Sequence, residues 1–111
     1  MWQNLLMSDI PDIDIDEQAV AEEDAKLDKP GMYKVLLHND DFTTMEFVVF
    51  VLNHVFLRTP AEAVTIMLKV HNEGVGVAGT YPLEIAKMKA DKAMNMARAR
   101  EFPFLCTVEE E

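Results

Sequence analysis

Asn39, Asp40, Asp41 and His71 are the side chains of this chain best suited to hold a cation. The first three form one polar corner, and the chain runs on from them as Phe-Thr-Thr-Met-Glu-Phe-Val to Val48. Amide and carboxylate oxygens accept hydrogen bonds, and imidazole accepts through its unprotonated nitrogen. Acceptors at the mouth of an apolar surface suit a ligand with a cationic head and a greasy body. A free chain terminus with a large apolar first residue is such a ligand. Its amino group has a pKa of about 7.7–8.0, so at neutral pH it is mostly charged and offers three donors. A charge-assisted hydrogen bond is worth roughly 1.5–3 kcal/mol, and a buried Leu or Phe side chain about the same. Micromolar binding needs about 8 kcal/mol, which the two halves reach only together.

The same residues have plainer uses. Asn-Asp-Asp between a strand and a helix is a common turn, with Asp41 as a helix-start charge. His71 beside Val70 suits a structural histidine, Met45 and Met67 suit core filling, and Lys87, Lys89 and Lys92 suit a solvated helix face. Cys106 in a final strand reads as a small buried residue. A third use is enzymatic: Asp40, Asp41 and His71 as an acid/base or metal site. Against it, His38 and His54 fall on other elements, and no nucleophile motif or phosphate-binding glycine loop is present.

The elements that must position these residues are legible in outline. Met32 to His38 is rich in strand formers. Thr43-Thr-Met-Glu46 has the form of a capping box, with Thr43 as N-cap and Glu46 reaching back, opening a helix to about Leu57. That helix carries two apolar stripes: Val48, Val49, Leu52, Val55 and Phe56, then Phe47, Phe50 and Val51. A helix greasy on both sides is buried on both or binds with one. Thr59-Pro-Ala-Glu62 opens a second helix to about Asn72, with Ala63, Ile66, Met67 and Val70 as its apolar set. Gly74, Gly76 and Gly79 then mark a short strand with a turn or bulge. Pro82 opens a third helix to about Arg100, with Ile85, Met88, Ala93 and Met96 recurring inward. Phe102 to Val108 is the last strand. The order β-α-α-β-α-β predicts an α+β fold, a small three-stranded antiparallel sheet packed on three helices.

The chain has 111 residues and a formal charge of −10, with half its residues apolar. That is one domain with a modest core. The charge argues against nucleic acid and anionic membranes as partners. Residues 1–31 hold nine acids against two bases and read as a flexible acidic extension before a folded domain at 32–111. One cysteine allows no internal disulfide, no run is long enough for a membrane helix, and the start lacks a basic signal-peptide region. A cytoplasmic protein is expected.

Three separated motifs carry a resemblance: Tyr33 to Val48, Ile66-Met-Leu-Lys-Val-His71, and Leu105-Cys-Thr107 before an acidic end. In this order they closely resemble ClpS, the adaptor family that delivers N-end-rule substrates to the Clp AAA+ protease, over residues 32–111. The resemblance implies a non-enzymatic, monomeric adaptor without cofactors. Its ligand is a first residue that is Leu, Phe, Tyr or Trp. It implies that Asn39, Asp40, Asp41 and His71 surround the ligand's α-amino group. Thr43, Met45, Val48, Met67, Val70 and Phe104 would line a side-chain pocket, with Met45 excluding β-branched residues. Glu84 and Lys89 would face the N-terminal domain of a ClpA unfoldase, toward which the leader reaches at hand-off. Four positions depart from the family pattern. Thr44 stands where Pro is usual, Ala78 where Cys is common, Phe102 for His, and Phe104 for Leu. A ring at 104 in the pocket wall would narrow it.

Overall fold

A computed structural model describes residues 31–111; the acidic extension expected at 1–31 lies outside the described residues but for Gly31. Six elements follow in the order expected: β1 (Met32–His38), α1 (Met45–His54), α2 (Pro60–Glu73), β2 (Val75–Pro82), α3 (Leu83–Ala99) and β3 (Leu105–Glu110). The sheet is antiparallel, in the order β2-β1-β3. α3 lies on all three strands, α1 packs on α2, and α2 packs on β2.

Local chemistry sets the boundaries. α2 begins with a complete capping box: Glu62 N–H donates to Thr59 Oγ1 and Thr59 N–H to Glu62 Oε1. Pro60 takes the first helical position, where no N–H is needed. α2 ends at Gly74, whose φ of +92° is left-handed and whose N–H donates to Val70 O. Gly76 then lets β2 pass tightly under the helix, since a Cβ there would meet Val70 Cγ2 at 2.8 Å. Pairing with β1 slips between Val35 and Leu36, where Gly79 and Val77 are the successive partners. Ala78 is the extra residue of a bulge, and its carbonyl accepts from Arg58 Nε at 2.8 Å.

Four sequence expectations need correction. Thr43 does not cap α1. Thr44 does, accepting from Phe47 N–H at 3.1 Å, with no returning bond from Glu46. Thr43 is already engaged upstream, as described below. α1 stops at His54 rather than near Leu57, because Leu57 takes a left-handed φ of 56° in the turn to α2. In α3 the buried stripe is Ala86, Ala90, Ala93 and Ala97, while Ile85 and Met88 are exposed. The small residues allow the helix to lie close on the sheet, and the larger ones are left outside. The last strand also runs later than expected, taking in Glu109 and Glu110.

The core joins Val35 and Leu37 of the sheet to Phe47, Val51, Leu52, Val55, Phe56 and the alanines of α3. The two stripes read on α1 are largely one wide buried face, from which Phe50 is excluded. Lys89 is not a freely solvated lysine. Its Nζ donates to Val55 O at 2.7 Å, satisfying a carbonyl at the end of α1, and lies 5.3 Å from the centre of the Tyr81 ring. Burial, followed by the nearby charge of Lys92, pulls its pKa below the usual lysine value. No helix among the described residues is long and apolar enough to cross a membrane.

A candidate terminus-binding cavity

β1 ends at His38, and Asn39 N–H donates to Gly74 O at 2.9 Å. This bond ties the polar corner to the end of α2, three residues beyond His71. The sequence carried no direct sign of it beyond a glycine placed to end that helix.

Asp40 organises the corner. Its Oδ1 accepts from Phe42 N–H at 2.8 Å and Thr43 N–H at 2.7 Å, and its Oδ2 from Thr43 Oγ1 at 2.7 Å. Burial pushes this carboxyl's pKa up, but the bonds from Thr43 N–H, Thr43 Oγ1 and Phe42 N–H outweigh it. The net effect holds Asp40 below the usual carboxylate range. Thr43 is thereby spent on Asp40, which is why the cap falls to Thr44. A carboxylate has about four acceptor positions, so one on Oδ2 remains. Asp40 is the keystone of the turn and a fixed negative charge at its edge.

One cavity of about 250 Å³ is lined by Asn39, Asp40, Asp41, Thr43, Met45, Val48, Met67, Val70 and His71. Nine of the ten residues expected around the ligand therefore face one hollow between α1 and α2. Val48, Met67 and Val70 are buried at its base, and Asn39, Asp41 and His71 are exposed at its mouth. Among the described residues neither the Asn39 nor the His71 side chain is engaged in a hydrogen bond, in contrast to Asp40. Among the described residues no lysine or arginine lines the cavity. It is a mouth of oxygen and imidazole acceptors over a floor of thioether and branched aliphatic groups.

Phe104 is the exception. It is 2% exposed, and its ring meets Phe47 edge-on at 5.8 Å between centroids rather than facing the cavity. It lies just before β3 and is buried in the core cluster that also holds Val48, Met67 and Val70. Glu84, exposed, and Lys89, half-buried, stand on α3 away from the cavity lining. Cys106 is buried, which pushes its thiol up to about 12 and leaves it a packing group. Among the described residues no three His, Cys, Asp or Glu side chains are grouped to hold a metal ion.

The family model described as "ATP-dependent Clp protease adaptor protein ClpS" matches residues 28–107. The chain belongs to the ClpS family. It is 50% identical to the ATP-dependent Clp protease adapter protein ClpS of Desulfatibacillum aliphaticivorans over 95% of this chain and 100% of that one. It is 48% identical to the ClpS of Nitratidesulfovibrio vulgaris, over 91% and 99% of the two chains. Among solved structures it is similar to Agrobacterium tumefaciens ClpS2 bound to L-phenylalaninamide. There the TM-score is 0.72 and identity 36%, covering 74% of this chain and 99% of that one. The role of a ClpS is adaptor to the Clp protease, an interaction task rather than a catalytic one. The α+β fold read from the sequence is the fold of the ClpS family.

Proposed function

We propose that the cavity captures the first residue of a protein chain when that residue is Leu, Phe, Tyr or Trp, and that the protein delivers such chains to a ClpA-type unfoldase. The carrying observation is that Asn39 and His71, with uncommitted acceptors, share a mouth with the charges of Asp40 and Asp41 above Met45, Val48, Met67 and Val70. The ligand of the related ClpS2, L-phenylalaninamide, has both required parts: a free amine and an apolar ring. An internal residue presents a neutral amide nitrogen with a single donor, so the mouth distinguishes a chain end from the same residue mid-chain. Asn39, Asp41 and His71 take the amine directly. Asp40 holds the corner and adds its charge. Delivery falls to other parts of the molecule, with Glu84 and Lys89 on α3 as the contact with the unfoldase and residues 1–31 as the segment that reaches it. The protein acts in the cytoplasm and hydrolyses nothing itself.

The test is a titration with a Phe-starting peptide, free and N-acetylated. Acetylation removes the charge and two of the donors, so binding should fall at least a hundredfold, the equivalent of about two charge-assisted hydrogen bonds. Equal affinity for the two peptides would refute the reading. Affinity for the free peptide should also decline above about pH 8, as its amine deprotonates.

A further inference from the structure

α2 separates two hollows. One is the cavity just described, to which this helix gives Met67, Val70 and His71. The other is a surface groove of about 460 Å³, to which it gives Thr65 and Lys69. Residues two apart on a helix point about 200° away from one another. Thr65 and Lys69 therefore stand on the flank opposite Met67 and His71. The groove has an apolar bed of Ala61, Ile66 and, from β2, Val77. Its charged side chains are Arg58, Lys69 and Glu62. Glu62 already spends one oxygen on the Thr59 N–H in the helix cap. Two cations thus meet one partly committed acid, on a chain whose formal charge is −10.

Arg58 is held at every point but its tip. Its backbone N–H donates to Leu52 O at 2.9 Å, and its carbonyl accepts from Asn53 Nδ2 at 3.0 Å. Its Nε donates to Ala78 O at 2.8 Å. Among the described residues neither Nη group takes part in a hydrogen bond. A guanidinium fixed in this way gives up little freedom when its Nη pair closes on a carboxylate, fork to fork. Arg58 also borders the surface of Lys89. It is bonded to β2 three residues before Tyr81, and Lys89 Nζ lies 5.3 Å from the centre of the Tyr81 ring. Burial raises the Tyr81 pKa, and the nearby charge of Arg58 opposes that rise. Tyr81 therefore joins the groove to the Lys89 end of α3.

We propose that this groove is a second part of the unfoldase contact, and that it receives an aspartate or glutamate of the unfoldase together with apolar side chains beside it. The proposal rests on the reading that the protein delivers chains to a ClpA-type unfoldase. An adaptor must hold cargo and partner at once, and α2 keeps the two sites apart by its own width. Arg58 supplies the two-pronged bond to the carboxylate, and Lys69 a second charge. Ala61, Ile66 and Val77 supply the apolar bed.

The experiment titrates intact ClpA with the full-length protein as wild type, Arg58→Ala, Lys69→Glu and Glu84→Arg. Each variant is also titrated with a Phe-starting peptide. Arg58→Ala should weaken the unfoldase about tenfold or more, and Lys69→Glu about five- to tenfold. Both should bind the peptide within about twofold of wild type, since the groove lies across α2 from the cavity. Arg58→Ala also strips the Ala78 carbonyl of its donor and could unfold the chain. Lys69→Glu then decides alone, because Lys69 is exposed. Wild-type affinity for ClpA in Lys69→Glu, with a loss in Glu84→Arg, would overturn the groove and leave the contact on α3 standing. Equal losses of ClpA and peptide binding in Lys69→Glu would also overturn it. A wild-type protein that does not bind ClpA would overturn the reading of delivery, and the groove with it.

Discussion

α3 and the α1–α2 pair meet their neighbours with side chains of different grain. α3 sets Ala86, Ala90, Ala93 and Ala97 against the sheet, each no more than 2% exposed. Single methyl groups bring backbone close to backbone at that seam. α1 and α2 face each other through Met45, Val48, Met67 and Val70, and between them lies a cavity of about 250 Å³. A domain this small has little material for a separate binding module. It obtains a rigid seam and a receptive one from the same three helices by changing side-chain size. The tight seam holds α3 in place, and the loose one leaves room for a guest.

Substitutions at the two seams should expose this difference. Ala93→Leu puts three more carbons where the helix touches the sheet and should lower unfolding free energy by about 2–3 kcal/mol in a urea titration. The polar corner comes next. Asp40→Ala strands two N–H groups and a hydroxyl and should cost about 1–2 kcal/mol by the same measurement. Because the fold holds the Asp40 carboxyl below its ordinary value, its stabilisation is complete above the unfolded value of about 3.9 and is lost as pH falls through the lower folded value. The stability difference between wild type and Asp40→Asn should therefore shrink as pH is taken from 6 to 3, with the change confined to the region below about pH 4. His71→Ala should weaken a Phe-starting peptide about tenfold, near 1.4 kcal/mol, while leaving the melting temperature close to wild type. The smallest change is expected for Met67→Leu, within about 1 kcal/mol of wild-type stability, since a thioether at the loose seam is replaced by a group of similar volume. Should Ala93→Leu prove as mild as Met67→Leu, the contrast between the seams would fail.

Strand and helix order could be read from the sequence because each start and stop has strong local chemistry: Thr59-Pro-Ala-Glu62, Pro82, and Gly74 after a helical run. What escaped depended on contacts between elements. Thr43 and Thr44 are equivalent as cap candidates until Asp40 claims Thr43. Ile85 and Met88 dominate the apolar pattern of the third helix, yet alanine determines its approach to the sheet, and alanine weighs little in such a pattern. Lys89 reads as solvated because its bond to Val55 O joins residues 34 apart. The candidate site was legible to an unusual degree, through three motifs whose joint order resembles one family. Phe104 stands apart from the cavity lining, because a residue just before a strand can turn either way and its ring packs against Phe47.

The bulge at Ala78 has a consequence for the company this protein keeps. β2 and β3 are the two outer strands of the sheet, and outer strands invite pairing with any extended polypeptide. An adaptor that works beside a protease moves among chains in the act of losing their structure. Arg58 occupies the Ala78 carbonyl at one border, and Glu109 and Glu110 charge the other. The bulge makes the first border irregular, and the glutamates make the second repellent to acidic chains. Both borders thus carry features that disfavour the addition of another strand.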